Sequence, residues 1–141
     1  MKRTVILAVA ALAPSLACAA NSLPGNRELL AVYCSVVLNV KLDATSRVAA
    51  AVEKDPKAPP KFKKQVAETL TEFQEQRRRL DSFLAPVLVA AQESDGNAYV
   101  LSLLSSKERA EADISTATKN EAGASDATNR MKRCADLSWL P

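Results

Sequence analysis

GASDATNRMKRCADL, residues 123–137, decides how many helices this chain folds into. Gly123, Ala124, Ser125 and Asp126 read as a break followed by a helix cap. Beyond them, Met131, Cys134 and Leu137 recur at helical spacing, so a short last helix over 126–137 would turn them inward. Cys134 also has a natural partner. Outside the first twenty residues the only other cysteine is Cys34. In an up-down bundle of three helices the first and third run parallel. Cys34, early in one, would then lie far from Cys134, late in the other. Twenty helical residues span about 30 Å, whereas a disulfide tolerates at most about 7 Å between Cα atoms. With four helices, the first and last are antiparallel and the two cysteines meet. The break at Gly123 and the pair Cys34–Cys134 therefore support the same architecture: an all-α, single up-down bundle of four helices. Two buried free thiols acting as small hydrophobes are the alternative.

The remaining helices follow from hydrophobic spacing. Asn26 can cap a helix beginning after Pro24-Gly25. The stretch RELLAVYCSVVLNVKL, residues 27–42, is apolar nearly all round between Leu29 and Val40, which suits a deeply buried helix over about 26–53. It is too short and too interrupted for a transmembrane span. Asp43 offers a second cap, so a separate helix could start there. The prolines of KDPKAPP, residues 54–60, mark a linker. A second helix over about 60–92 carries a heptad-like seam from Val66 through Leu70, Phe73, Arg77, Leu80, Leu84 and Val87 to Ala91. Arg77 on that seam must snorkel or find a carboxylate. Pro86 should kink or restart the helix near Ala85. A third helix is expected over about 97–121, with Leu101, Leu104, Glu108, Glu111, Ile114 and Thr118 on one stripe. Ser105 and Glu108 form a capping-box pattern at which a new helix could begin.

At the other end, Lys2 and Arg3 precede an apolar run over residues 4–13, a proline and small residues. This is the layout of a secretory signal peptide, expected over 1–20, with a single helical domain over 21–141. Cleavage after Ala19 or Ala20 removes Cys18. The alternative is that Cys18 becomes the acylated first residue of an outer-membrane lipoprotein, although Ser15 stands where such sites usually carry leucine. The expected location is periplasmic or secreted, an oxidising setting that permits the disulfide.

Lys2 and Arg3 account for much of the formal charge of +3, and without them 17 basic residues face 16 acidic ones. Net charge therefore gives no argument for nucleic acid. The chain has no histidine, which excludes His-based triads and imidazole metal ligands. Two thiols cannot build a structural zinc site. There is no P-loop or Rossmann glycine pattern and no EF-hand loop. The carboxylates Glu108, Glu111 and Asp113 read as a solvated helix face. No cofactor and no enzymatic activity are expected.

Two basic clusters stand out on the second helix: Lys61, Lys63 and Lys64 at its start, and Arg77-Arg78-Arg79 at its middle. Interleaved glutamates make a salt-bridged face one reading. The functional reading assigns Lys61, Lys63, Lys64, Arg78 and Arg79 as contacts to an acidic partner, with an envelope or secreted protein ahead of lipid or nucleic acid, since no aromatic platform accompanies the charge. FLAPVLVAA, residues 83–91, is either core or, if exposed, a partner groove. Trp139 and Leu140 are expected to pack on the bundle.

Leu70-Thr71-Glu72-Phe73-Gln74 fits an LTxxQ pattern. In this it resembles the small helical periplasmic proteins related to the Cpx-associated stress chaperones. The match spans five residues, no second copy occurs, and no site residues carry over. The resemblance implies a chaperone-like or stress-accessory role. The residues themselves lead to an exported, non-catalytic protein-binding protein of the inhibitor, immunity or envelope-accessory type.

Overall fold

The computed structural model describes residues 24–93 and 97–141. The expected signal peptide and Cys18 lie outside the described residues. Four helices follow one another: α1 (Asn26–Lys54), α2 (Pro60–Glu93), α3 (Asn97–Lys119) and α4 (Ala124–Lys132). The fold is all-α, and no strand occurs among the described residues.

α1 is one unbroken helix of 29 residues, about 44 Å long. Asp43 starts no second helix; it pairs with Arg47 one turn on, at 2.7 Å. The cap is Gly25 rather than Asn26, and the Glu28 carboxylate accepts the Gly25 N–H at 2.7 Å. A carboxylate is favoured there because the first-turn amides lack intrahelical acceptors. Its length and a mean hydropathy of 1.3 over its most apolar window make α1 the one described helix that could span a membrane on those two criteria. In the fold, Ala31, Tyr33, Cys34, Val37 and Leu38 of this helix are buried in the bundle. Only 28% of that window is buried, however, and Val40 is 48% exposed, so the helix is buried along one face and not all round as its apolar run suggests.

α2 runs antiparallel to α1: Phe73 lies under Lys41, and Arg77 reaches Ser35 and Asn39. Arg77 meets the seam requirement as expected. Its Nε pairs with Asp81 at 2.8 Å, while Nη1 donates to the Ser35 carbonyl and the Asn39 side chain. The helix continues through Pro86 without restarting. α3 lies parallel to α1, with Ser106 donating to the Leu29 carbonyl at 2.7 Å and Asp113 facing Tyr33. α3 is also unbroken at Ser105. Its buried face differs from the expected stripe. Leu101 and Leu104 are 58% and 46% exposed, whereas Leu103, Ala110 and Asp113 are buried.

α3 ends in a Schellman-type cap. Asn120 takes φ 54°, its N–H donates to Ala117, and the Glu121 N–H donates to Thr116. Gly123, at φ 90°, then caps α4 directly, so the helix opens at Ala124 and not at Asp126. A Cβ at Gly123 would meet nothing within 4 Å, so the cost of a side chain there is purely one of backbone conformation. Gly123→Ala is expected to lower stability by about 1 kcal/mol, read as a lower urea midpoint at unchanged slope.

The last helix is shorter than its sequence suggests and stops at Lys132. Arg133, Cys134 and Ala135 each donate to the carbonyl three residues back, a tightened winding. Asp136 then accepts the N–H and hydroxyl of Ser138, which diverts the backbone from helix. Cys134 and Leu137 are buried all the same, in the tail that follows α4. The disulfide Cys34–Cys134 is formed, with Cα atoms 5.1 Å apart. α4 itself lies against α3. Residues 133–141 close the side toward α2: Arg79 donates to the Leu137 carbonyl, and Phe83 meets Trp139 edge-on at 6.4 Å.

Candidate functional site

A concavity lies where the second half of α2, the start of α3 and the C-terminal tail converge. It is a cleft of about 550 Å³ with Phe83, Pro86, Val87 and Leu140 on its apolar walls, Arg78 and Arg79 on one side, and Glu28 and Tyr99 on the other. Each wall has a local cause. Leu84 and Val87 bury the inner face of α2, which turns Arg78, Ser82 and Pro86 outward. Arg79 is fixed by the tail carbonyl of Leu137 at 3.2 Å. Leu140 is 8% exposed, folded back by a bond from its N–H to the Leu137 carbonyl. Glu28 caps α1 and accepts a long bond from the Tyr99 hydroxyl, at 3.5 Å. Burial, and then the Glu28 charge, raise the Tyr99 pKa, so that phenol stays neutral. Arg78 and Glu75 bond twice, at 2.8 and 3.0 Å, which pulls the Glu75 carboxyl below its ordinary range and raises the Arg78 pKa. Both groups are exposed, so the pair orients Arg78 more than it stabilises the fold.

The structure separates the two basic clusters expected to act together. Arg78 and Arg79 line the cleft. Lys61 and Lys64 are exposed on the first turns of α2, and Lys64 pairs with Glu68 at 3.7 Å. Lys63 borders a different groove, against Ala49 and Val52. Fourteen helical residues, about 21 Å, separate Lys64 from Arg78. Residues 83–91 also divide. Leu84 and Val87 are buried, whereas Leu88 and Val89 are more than half exposed. The LTxxQ residues lie in mid-α2, with the Thr71 hydroxyl bonded back to the Ala67 carbonyl.

One charged group was misread as solvated. Asp113 is 5% exposed and accepts three bonds: from the Tyr33 hydroxyl at 2.7 Å, and from Arg130 Nε and Nη2 at 2.8 and 2.6 Å. The Arg130 bonds, helped by the Tyr33 bond, hold the Asp113 carboxyl below its ordinary range against the opposing effect of burial. Burial, and then the Asp113 bond, push the Tyr33 phenol far above its usual pKa. The Asp113 bond raises the Arg130 pKa as well. Tyr33 in an otherwise apolar stretch of α1 was the available signal, because a buried phenol needs an acceptor. Among the described residues no group of three or more Cys, Asp or Glu side chains gathers as metal ligands would.

No family model, no curated protein and no solved structure matches this chain.

Proposed function

We propose that this chain is an exported, non-catalytic protein-binding protein, and that the cleft between α2 and the tail grips an acidic segment of its partner. The supporting observation is an apolar floor (Phe83, Pro86, Val87, Leu140) set beside two arginines. An apolar floor takes an aliphatic or aromatic anchor, and guanidinium pairs with carboxylate in a fixed fork. The partner segment therefore combines a Leu, Phe or Trp with neighbouring Asp or Glu. The sequence adds an expected signal peptide, a location in the periplasm or outside the cell, and no histidine for catalysis.

Selection of a displayed peptide library on the oxidised mature protein tests this. Acidic peptides with one large apolar residue are expected to emerge and to bind at micromolar Kd. Arg78→Glu should weaken them at least tenfold, while Lys57→Glu at the far end of the molecule leaves them unchanged. If no peptide class emerges, or the two variants behave alike, the proposal fails.

A further inference from the structure

A second cleft, of about 420 Å³, opens on the opposite side of the bundle base between α1, α3 and α4. Three arginines converge on it: Arg109 from α3, Arg130 from α4, and Arg133 just beyond α4. Arg130 and Arg133 lie three residues apart and Arg109 joins them from α3, so neither cluster reading on α2 revealed them. Arg109 and Arg133 are exposed and belong to no ion pair among the described residues. Arg130 is different. Asp113 holds its Nε and Nη2, which leaves Nη1 for a ligand. Leu29, Leu30 and the Tyr33 ring supply an apolar side to the same cleft.

We propose that this cleft binds a phosphate group carried on an organic body. Arg109, Arg133 and the remaining edge of Arg130 hold the phosphate, and Leu29 and Leu30 receive the organic part. Three arginines face one bonded carboxylate, Asp113, and the Asp126 charge acts on Arg130 through space, so the cleft stays net positive. A phosphate monoester carries about −1.5 to −2 at neutral pH and offers three acceptor oxygens to three guanidinium groups, where a carboxylate offers two. Guanidinium groups also meet phosphate oxygens in pairs. The Asp113 bonds keep the Arg130 plane fixed before the ligand arrives, which reduces the ordering cost of binding. The volume exceeds what a phosphate alone fills, and that is why the ligand has an organic part. The phosphate belongs either to a soluble monoester or to a phospholipid headgroup.

Two titrations of the oxidised mature protein separate these sources. Calorimetry follows inorganic phosphate and phenyl phosphate. Co-sedimentation follows vesicles containing phosphatidic acid, whose headgroup is a phosphate monoester, with phosphatidylcholine vesicles as the neutral reference. Saturable binding is expected, with phenyl phosphate tighter than inorganic phosphate. Arg109→Gln with Arg133→Gln should weaken it at least tenfold at an unchanged melting temperature, because both side chains are exposed and unpaired. A charge-matched control, Lys54→Gln with Lys57→Gln, should leave binding intact. Saturation with vesicles assigns the phosphate to a lipid headgroup. Saturation with phenyl phosphate and no vesicle binding assigns it to a solute. No saturation in either arm, or equal weakening by the control pair, overturns the proposal.

Discussion

Cys34→Ser with Cys134→Ser is expected to lower the melting temperature by about 10–20 °C, measured by calorimetry against the oxidised parent. The two cysteines are separated by 100 residues in sequence. A closed loop of that size contributes up to about 4–5 kcal/mol through the entropy of the unfolded chain. The two sites are 0% and 3% exposed, so serine hydroxyls there would add the penalty of burying polar groups. Reducing the native protein should reproduce most of the shift. The loss has a local side as well. Cys134 anchors the tail that carries Leu140, and Leu140 is one wall of the peptide cleft. Peptide affinity should fall along with stability. A shift below about 3 °C would show that Leu137, Trp139 and Leu140 hold the tail without the covalent bond.

Asp113→Asn is the second large effect, about 1–2 kcal/mol of stability at neutral pH, because it removes the charge from a buried carboxylate whose partner Arg130 is partly exposed and stays in place. The sign of its pH dependence follows from the depressed pKa of Asp113. The unfolded carboxyl titrates near pH 3.9. Above that value the stabilisation is fully present. As pH falls through the lower folded value, the proton taken up breaks the pairing and the stabilisation is lost. Urea midpoints of parent and variant should therefore differ widely at pH 7 and converge as the pH falls well below the unfolded value. An equal gap at both pH values would show that Asp113 acts through shape and hydrogen bonding alone.

The order of the four helices, the disulfide and the need of Arg77 for a carboxylate were legible in the sequence, since each rests on spacing along one helix or on a count of cysteines. The contacts of Arg77 to Ser35 and Asn39 across to α1 were not. Nor was the buried face of α3. Two of its three leucines, Leu101 and Leu104, are exposed, while Leu103, Ala110 and Asp113 are buried. Hydropathy favours large apolar side chains, yet beside Leu103 the buried face uses a small residue and a charged one. The charge is tolerated only because Tyr33 and Arg130, 80 and 17 residues away in sequence, meet it in space. The end of α4 was hidden for a different reason. Met131, Cys134 and Leu137 keep helical spacing, but Asp136 captures the backbone at Ser138 and ends the regularity. The peptide cleft was half legible: Arg78 and Arg79 stood out as a charge run, but Leu140 joins them only through the folded-back tail. The cleft between α1, α3 and α4 left only the basic run from Arg130 to Arg133 as a local signal, because Arg109 joins it from a separate element.

The disulfide, the Asp113 bonds and both clefts sit along the first half of α1. Ile114, Ala117 and Thr118, near the end of α3, lie beside Val40 and Lys41 of α1. Past that point Thr45 and Val48 of α1 border a groove shared with Phe62, Val66 and Thr69 of α2. The last thirteen residues of α1 thus extend about 19 Å beyond the base as one arm of a two-helix mast. Reach and anchorage are consequently governed by separate residues. Whole turns can be gained or lost in the mast, in matched register on both arms, while the cross-linked base and its two clefts stay as they are.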